Sequence, residues 1–282
     1  MDGWLVVLIL VSAATHAAWN AILRAVGGDA GVSWLAQVVG VLLASPWAVA
    51  GAYHRGIALS GVGVLLVTGV VQAVYLHLLG RAYERGDFSL TYPVARGGGV
   101  VVTALASWCV FGDALSWTGV AGISVVCAGA TLLGLAAARG GVHTTRSLGY
   151  AAAVALTLGV GSTLDKIGVG LVDPALYVTG MFAIGAALAA PRMWGRERAA
   201  VRAAWRDRRL AVVTIGTLML GSYGLALYAF QRGPLAYVVA FRESSVVFGA
   251  AIGWWFLAEP VGLRRLIGLG TILAGLLVIR IG

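Results

Sequence analysis

Five charged residues interrupt stretches that are otherwise apolar: Arg96, Asp165, Lys166, Arg242 and Glu243. A charge at the centre of a membrane helix costs roughly 2.5–3.5 kcal/mol on insertion scales, so it persists only where it faces a protected interior, a partner or water. Two chemistries fit such residues: ion pairs that lock helices together, or binding of a small polar solute with exchange of protons. His16 and Asn20 are four apart and share one helix face, with Trp19 beside them. Tyr92 precedes Pro93, which leaves the carbonyl of Ser89 without its helical donor, and Arg96 follows with Gly97-Gly98-Gly99 after it. The residues expected to contact a solute are therefore His16, Trp19, Asn20, Tyr92, Arg96, Lys166 and Arg242. Glu243, Asp165 and His16 are the titratable groups expected to exchange protons beside it.

Lys166 is the only lysine among twenty basic residues. A compact ammonium differs chemically from a guanidinium, so this departure from arginine singles the position out. The intramembrane charges are three cations against two carboxylates, and two salt bridges would leave one cation over. An unpaired buried cation is costly unless water or a ligand compensates it. Lys166 is the expected ligand-facing cation, and the ligand then presents an anionic group, as an anionic or zwitterionic metabolite does. The structural alternatives stay open at this point. Arg96 can snorkel to the interface, Arg242 and Glu243 can form inter-helix ion pairs, and Asp165-Lys166 can lie at the membrane edge.

These residues need helices to position them, and composition names the medium. Hydrophobic residues make up 60% of the 282 and charged residues 11%, against about 45–50% and roughly 25% in soluble domains. The chain reads as an all-α integral membrane protein. Ten apolar runs of spanning length lie between polar clusters: 3–23, 32–52, 59–83, 89–111, 116–138, 148–172, 175–194, 210–230, 235–257 and 263–281. Only the connection from Arg192 to Arg209 is long enough for an amphipathic surface helix. Loops after odd-numbered runs hold fourteen arginines and the opposite loops three, which directs the odd loops to the cytoplasm and both termini outside.

The net charge of +9 comes from arginines scattered through short loops, without a basic folded face, so nucleic acid is not an expected partner. Cys109 and Cys127 lie in apolar runs and read as packed core residues. Neither metal-ligand spacing nor a nucleophile–base motif occurs, so no catalytic residue, metal, cofactor or enzymatic activity is expected.

A shift of about 146 residues brings the two halves of the chain into register. Arg96 falls on Arg242, Asp113 on Glu259, Gly122 on Gly268 and Gly129 on Gly275. The expected organisation is a five-helix repeat over 1–139, a linker over 140–146 and a second repeat over 147–282. An odd number of spans per repeat inverts one half relative to the other, as in many secondary transporters. The motifs His16-Ala17-Ala18-Trp19-Asn20, Tyr92-Pro93-Val94-Ala95-Arg96, Asp165-Lys166 with Gly168, and Phe241-Arg242-Glu243-Ser244-Ser245 resemble signatures of EamA-type members of the drug/metabolite transporter superfamily, over essentially the whole chain. That resemblance implies ten transmembrane helices in two inverted repeats and a multi-pass carrier in the bacterial cytoplasmic (inner) membrane. The implied activity is alternating-access transport of a small polar metabolite, with export as the expected direction and a monomer or homodimer in the lipid bilayer. A passive uniporter, channel or lipid scramblase of the same fold is the alternative.

Overall fold

The computed structural model describes residues 1–27, 29–85, 88–137, 145–257 and 262–282, and within these it leaves out the side chains of 76, 77, 79–85, 88–94, 136–137, 145–148 and 257. The described residues are helical, without strands. In chain order the helices are α1 (Gly3–Ala25), α2 (Ala30–Arg55), α3 (Leu59–Arg85), α4 (Phe88–Phe111), α5 (Trp117–Ala137), α6 (Thr145–Leu171), α7 (Pro174–Gly195), α8 (Arg198–Arg232), α9 (Leu235–Arg242), α10 (Ser244–Leu257) and α11 (Leu263–Ile281). They fall on the ten expected runs, with one run divided between α9 and α10. Seven described segments are long and apolar enough to cross a membrane, and the shorter apolar stretches Leu59–Tyr75 and Ala95–Phe111 belong to α3 and α4.

Local chemistry sets the boundaries. Asp29 accepts from the Val32 amide at 2.8 Å to start α2, and Asp173 accepts from Ala175 at 2.8 Å beside Pro174 to start α7. Such caps satisfy amides that have no intrahelical acceptor. Gly112 has a φ of +63°, a left-handed turn that favours glycine and delivers Asp113 to the head of α5. The arginine-rich connection is helical, as expected: α8 begins at Arg198 and departs from helical geometry at Arg208 (φ −137°, ψ 24°). This bend separates an amphipathic first segment, with Val201 and Ala204 buried, from the apolar remainder.

The distribution of side chains suits a bilayer. Trp47, Leu59, Trp117, Trp254 and Trp255 are exposed, while Asp165, Glu243, Ser12 and Ser222 are buried. Cys109, expected in the packed core, is exposed. Apolar character alone does not separate a core position from a lipid-facing one, because both media favour it.

Glycines set the closest helix approaches. A Cβ on Gly122 would come 2.7 Å from the Gly275 carbonyl, and one on Gly129 would come 2.9 Å from the Gly268 carbonyl. Rising numbers on α5 meet falling numbers on α11, so these helices run antiparallel. A Cβ on Gly40 would come 2.7 Å from the Gly216 carbonyl, where α2 packs on α8. Other pairings join α4 to α6, α1 to α8, α3 to α6 and α1 to α10. The chain ends are neighbours, since a Cβ at Gly3 would lie 3.8 Å from the Arg280 guanidinium. The face holding both ends also holds the α4–α5 and α8–α9 junctions, and is called the terminal face below.

Candidate functional site

Helices α9 and α10 meet at Glu243, where a turn replaces continuous helix. The Glu243 amide donates to the Ala240 carbonyl and the Val246 amide to the Glu243 carbonyl, each at 3.0 Å. These three-residue spacings tighten the chain at that point. Ser244 stabilises the junction by donating its hydroxyl to the Phe241 carbonyl at 2.7 Å. The break carries the buried Glu243 carboxylate to Arg96 of α4, which meets it at 3.1 Å and 3.2 Å through two nitrogens. Arg96 also reaches the Ser245 hydroxyl at 3.5 Å. Arg96 and Arg242, which the offset of about 146 residues aligns, therefore differ in contacts: Arg96 bonds Glu243 across the chain, while Arg242 does not pair with its neighbour Glu243.

Arg242 instead stands over the Tyr223 ring of α8, 5.0 Å from its centroid, a cation–π arrangement. Among the described residues no carboxylate lies within ion-pair distance of it. The Tyr223 hydroxyl donates to Asp165 Oδ2 of α6 at 2.5 Å. Asp165 is 1% exposed, and its other oxygen, Oδ1, has no hydrogen-bond partner among the described residues. Arg242 is within electrostatic reach of Asp165, and both Arg242 and Arg96 are within such reach of His16 on α1. Tyr177 of α7 backs this cluster. Its hydroxyl lies 2.7 Å from Thr68 Oγ1 and 3.4 Å from the Leu164 carbonyl, and its ring packs against Gly168, where a side chain would overlap it.

The structure thus brings His16, Arg96, Asp165, Arg242 and Glu243 together, with Tyr223 and Tyr177 added. Other expected residues stand apart. Asn20 is exposed and donates to the His16 carbonyl of its own helix at 2.8 Å. Trp19 meets His16 edge-on at 5.0 Å and otherwise packs with Val32, Ala36 and Ile215, although its indole N–H is buried without an acceptor among the described residues. The side chains of Tyr92, Pro93 and His77, and residues 138–144 and Glu259, lie outside the described residues.

Lys166 corrects the charge arithmetic. Its ammonium donates to Asp113 Oδ2 at 3.0 Å and to the Gly233 carbonyl at 3.2 Å, and it stands 4.7 Å from the Phe111 ring centroid. It has a carboxylate partner, and the cation left over is Arg242. The count omits Asp113 because it lies in the turn beyond the spans, yet the left-handed residue Gly112 in that turn lets it reach Lys166 of α6. Asp113 Oδ2 also accepts from Ser107 at 2.5 Å and from the Leu235 amide at 3.1 Å. Ser107 in turn accepts from the Ala236 amide at 3.1 Å, and the Tyr237 hydroxyl accepts from the Ser116 amide at 3.0 Å. Burial alone would raise the Asp113 pKa, but the bonds from Ser107, Lys166 and Leu235 outweigh it and hold the group below its ordinary value. This network ties α6, the α4–α5 turn and the start of α9 together at the terminal face.

Residues 145–281 match the sequence model of the EamA-like transporter family. The second half of the chain is an EamA-like transporter domain. That family is one of membrane transporters of the drug/metabolite type, and the long apolar helices are those of a multi-pass membrane protein. A solved crystal structure at 18% identity superposes with a TM-score of 0.74, over 100% of this chain and 98% of that one. At that identity the likeness concerns the fold. A search of curated proteins gives no match.

Proposed function

We propose that this EamA-like protein is a secondary transporter that moves a small anionic or zwitterionic metabolite across the bacterial cytoplasmic membrane by alternating access, as an exporter. The observation that carries the reading is a pair of groups with open bonding capacity beside a one-residue tightening of the Leu235–Phe256 span. The Arg242 guanidinium forms no ion pair among the described residues, and the buried Asp165 Oδ1 accepts no hydrogen bond there, with the Tyr177 hydroxyl and Arg242 within electrostatic reach of the carboxylate. A solute whose anionic group meets Arg242 and whose N–H or O–H donates to Asp165 would satisfy both. Glu243, Asp165 and His16 are the groups that would exchange protons, with Arg96 setting the charge seen by Glu243.

Two inverted five-helix repeats are part of the same reading, and the glycine contacts support them. Gly122 and Gly268 are repeat-related, as are Gly129 and Gly275, and the contacts run crosswise: Gly122 to Gly275 and Gly129 to Gly268. A two-fold relation between α5 and α11 produces that exchange. The pairing of α1 with α8 likewise mirrors that of α6 with α3, and α1 with α10 mirrors α6 with α4.

Counterflow in proteoliposomes tests the function. Radiolabelled amino acids and organic acids should include one that exchanges saturably, and Arg242→Ala should abolish that exchange in a protein that still folds and inserts. Flux that stays linear in concentration and lacks counterflow would instead indicate a channel.

A further inference from the structure

Above the terminal-face network lies a cavity of about 660 Å³ lined by Arg55, Phe111, Lys166, Gly170, Phe230, Gln231 and Arg232. Three cations face it and no carboxylate is among its described lining residues. That volume is within the range of small-ligand sites, and a concave surface of one charge sign raises the local concentration of the opposite ion. Several of its walls are fixed. The Arg232 guanidinium stacks 3.6 Å from the Tyr228 ring centroid, the Gln231 amide donates to the Val169 carbonyl, and Phe230 is fully buried. Lys166 alone belongs to both cavity and network, because the ammonium that lines the cavity also bonds Asp113.

We propose that this vestibule is an anion-binding site for a carboxylate or phosphate group, and that its occupant competes with Asp113 for Lys166. The site is separate from the Arg242–Asp165 cluster. Arg55 and Arg232 supply charge at the rim, Phe111 supplies apolar wall, and Lys166, the least exposed of the three cations, is the innermost contact. An anion that draws the ammonium towards it removes one of the bonds closing the terminal face, so arrival or departure of an anionic solute there would loosen the seal beneath.

A cysteine at Gly170 tests this directly, since a side chain at that position meets no other atom within 4 Å. The protein, with Cys109 and Cys127 replaced by alanine, is placed in phosphatidylcholine nanodiscs and labelled with a neutral maleimide. Inorganic phosphate or succinate should slow labelling several-fold relative to chloride at equal ionic strength. The protection should vanish in Lys166→Met and in Arg232→Gln, with basal labelling of Gly170→Cys reporting that each variant is intact. Phosphatidylglycerol nanodiscs distinguish the source of the anion: protection without added phosphate or succinate assigns the site to a lipid headgroup. If neither soluble anion nor anionic lipid protects the cysteine, or if protection survives both substitutions, the site is not there. Because the readout is labelling, failure of the transport reading would leave this result standing, and the reverse also holds.

Discussion

Glu243 and Arg96 have opposite demands on one bond. The carboxylate is buried and the guanidinium partly exposed, with side-chain exposures of 6% and 26%, so Glu243 is the member that depends on its partner for charge compensation. Glu243→Gln keeps the shape and removes the charge. Transport by this variant should lose its pH dependence and retain counterflow; an unchanged pH profile would transfer proton coupling to Asp165 or remove it. Asp113 gives a second test outside the spans. Its folded pKa lies below the ordinary 3.8, so its ionised form contributes stability above that value and loses it as pH falls through the folded pKa. The difference in thermal stability between the native chain and Asp113→Asn should be constant from neutral pH down to about that value and shrink in stronger acid. A difference that peaks in acid would have the wrong sign. At this scale the charged residues that the structure brings together were legible, since charges stand out against apolar runs. It could not reveal that Asp113 reaches Lys166, because that contact depends on a left-handed turn at Gly112 and a separation of 53 positions.

Helix packing follows the small residues more than the large ones. The α5–α11 crossing brings glycine carbonyls to within 2.7 Å of where a Cβ would stand, so a side chain there must push the helices apart. Overpacking of this kind costs about 1–3 kcal/mol. Gly122→Ala should lower the unfolding temperature in detergent by several degrees, whereas Gly63→Ala, with nothing within 4 Å of its Cβ position, should leave it unchanged or raise it. Equal losses in both variants would point to backbone flexibility instead of packing. The ten helical runs were legible because about 20 apolar residues between polar clusters have one solution in a bilayer. The interruption at Glu243 was not, since Phe241-Arg242-Glu243-Ser244-Ser245 contains neither proline nor glycine. The turn is held locally by the Ser244 hydroxyl on the Phe241 carbonyl, and Arg96 reaches Glu243 there from α4.

For the whole molecule, the arginine distribution and the repeat are statements about orientation. A cysteine replacing the exposed Arg202, in a chain lacking Cys109 and Cys127, should resist an impermeant thiol reagent in intact cells and label in inverted vesicles. Labelling from outside would reverse the assignment of faces. The offset of 146 residues was readable from a few glycines and charges, whereas the crosswise glycine contacts exist only between folded helices. Alternating access at the Arg96–Glu243 centre is the central claim, and Ser245 is the position that reports on it, being buried and 3.5 Å from Arg96. The decisive measurement is the labelling rate of Ser245→Cys from each face, in right-side-out and inverted vesicles, with and without Asp113→Asn. Opening the terminal-face network should speed labelling from that face and slow it from the other in the same protein. Rates that rise together on both faces, or that ignore Asp113→Asn altogether, would contradict alternating access.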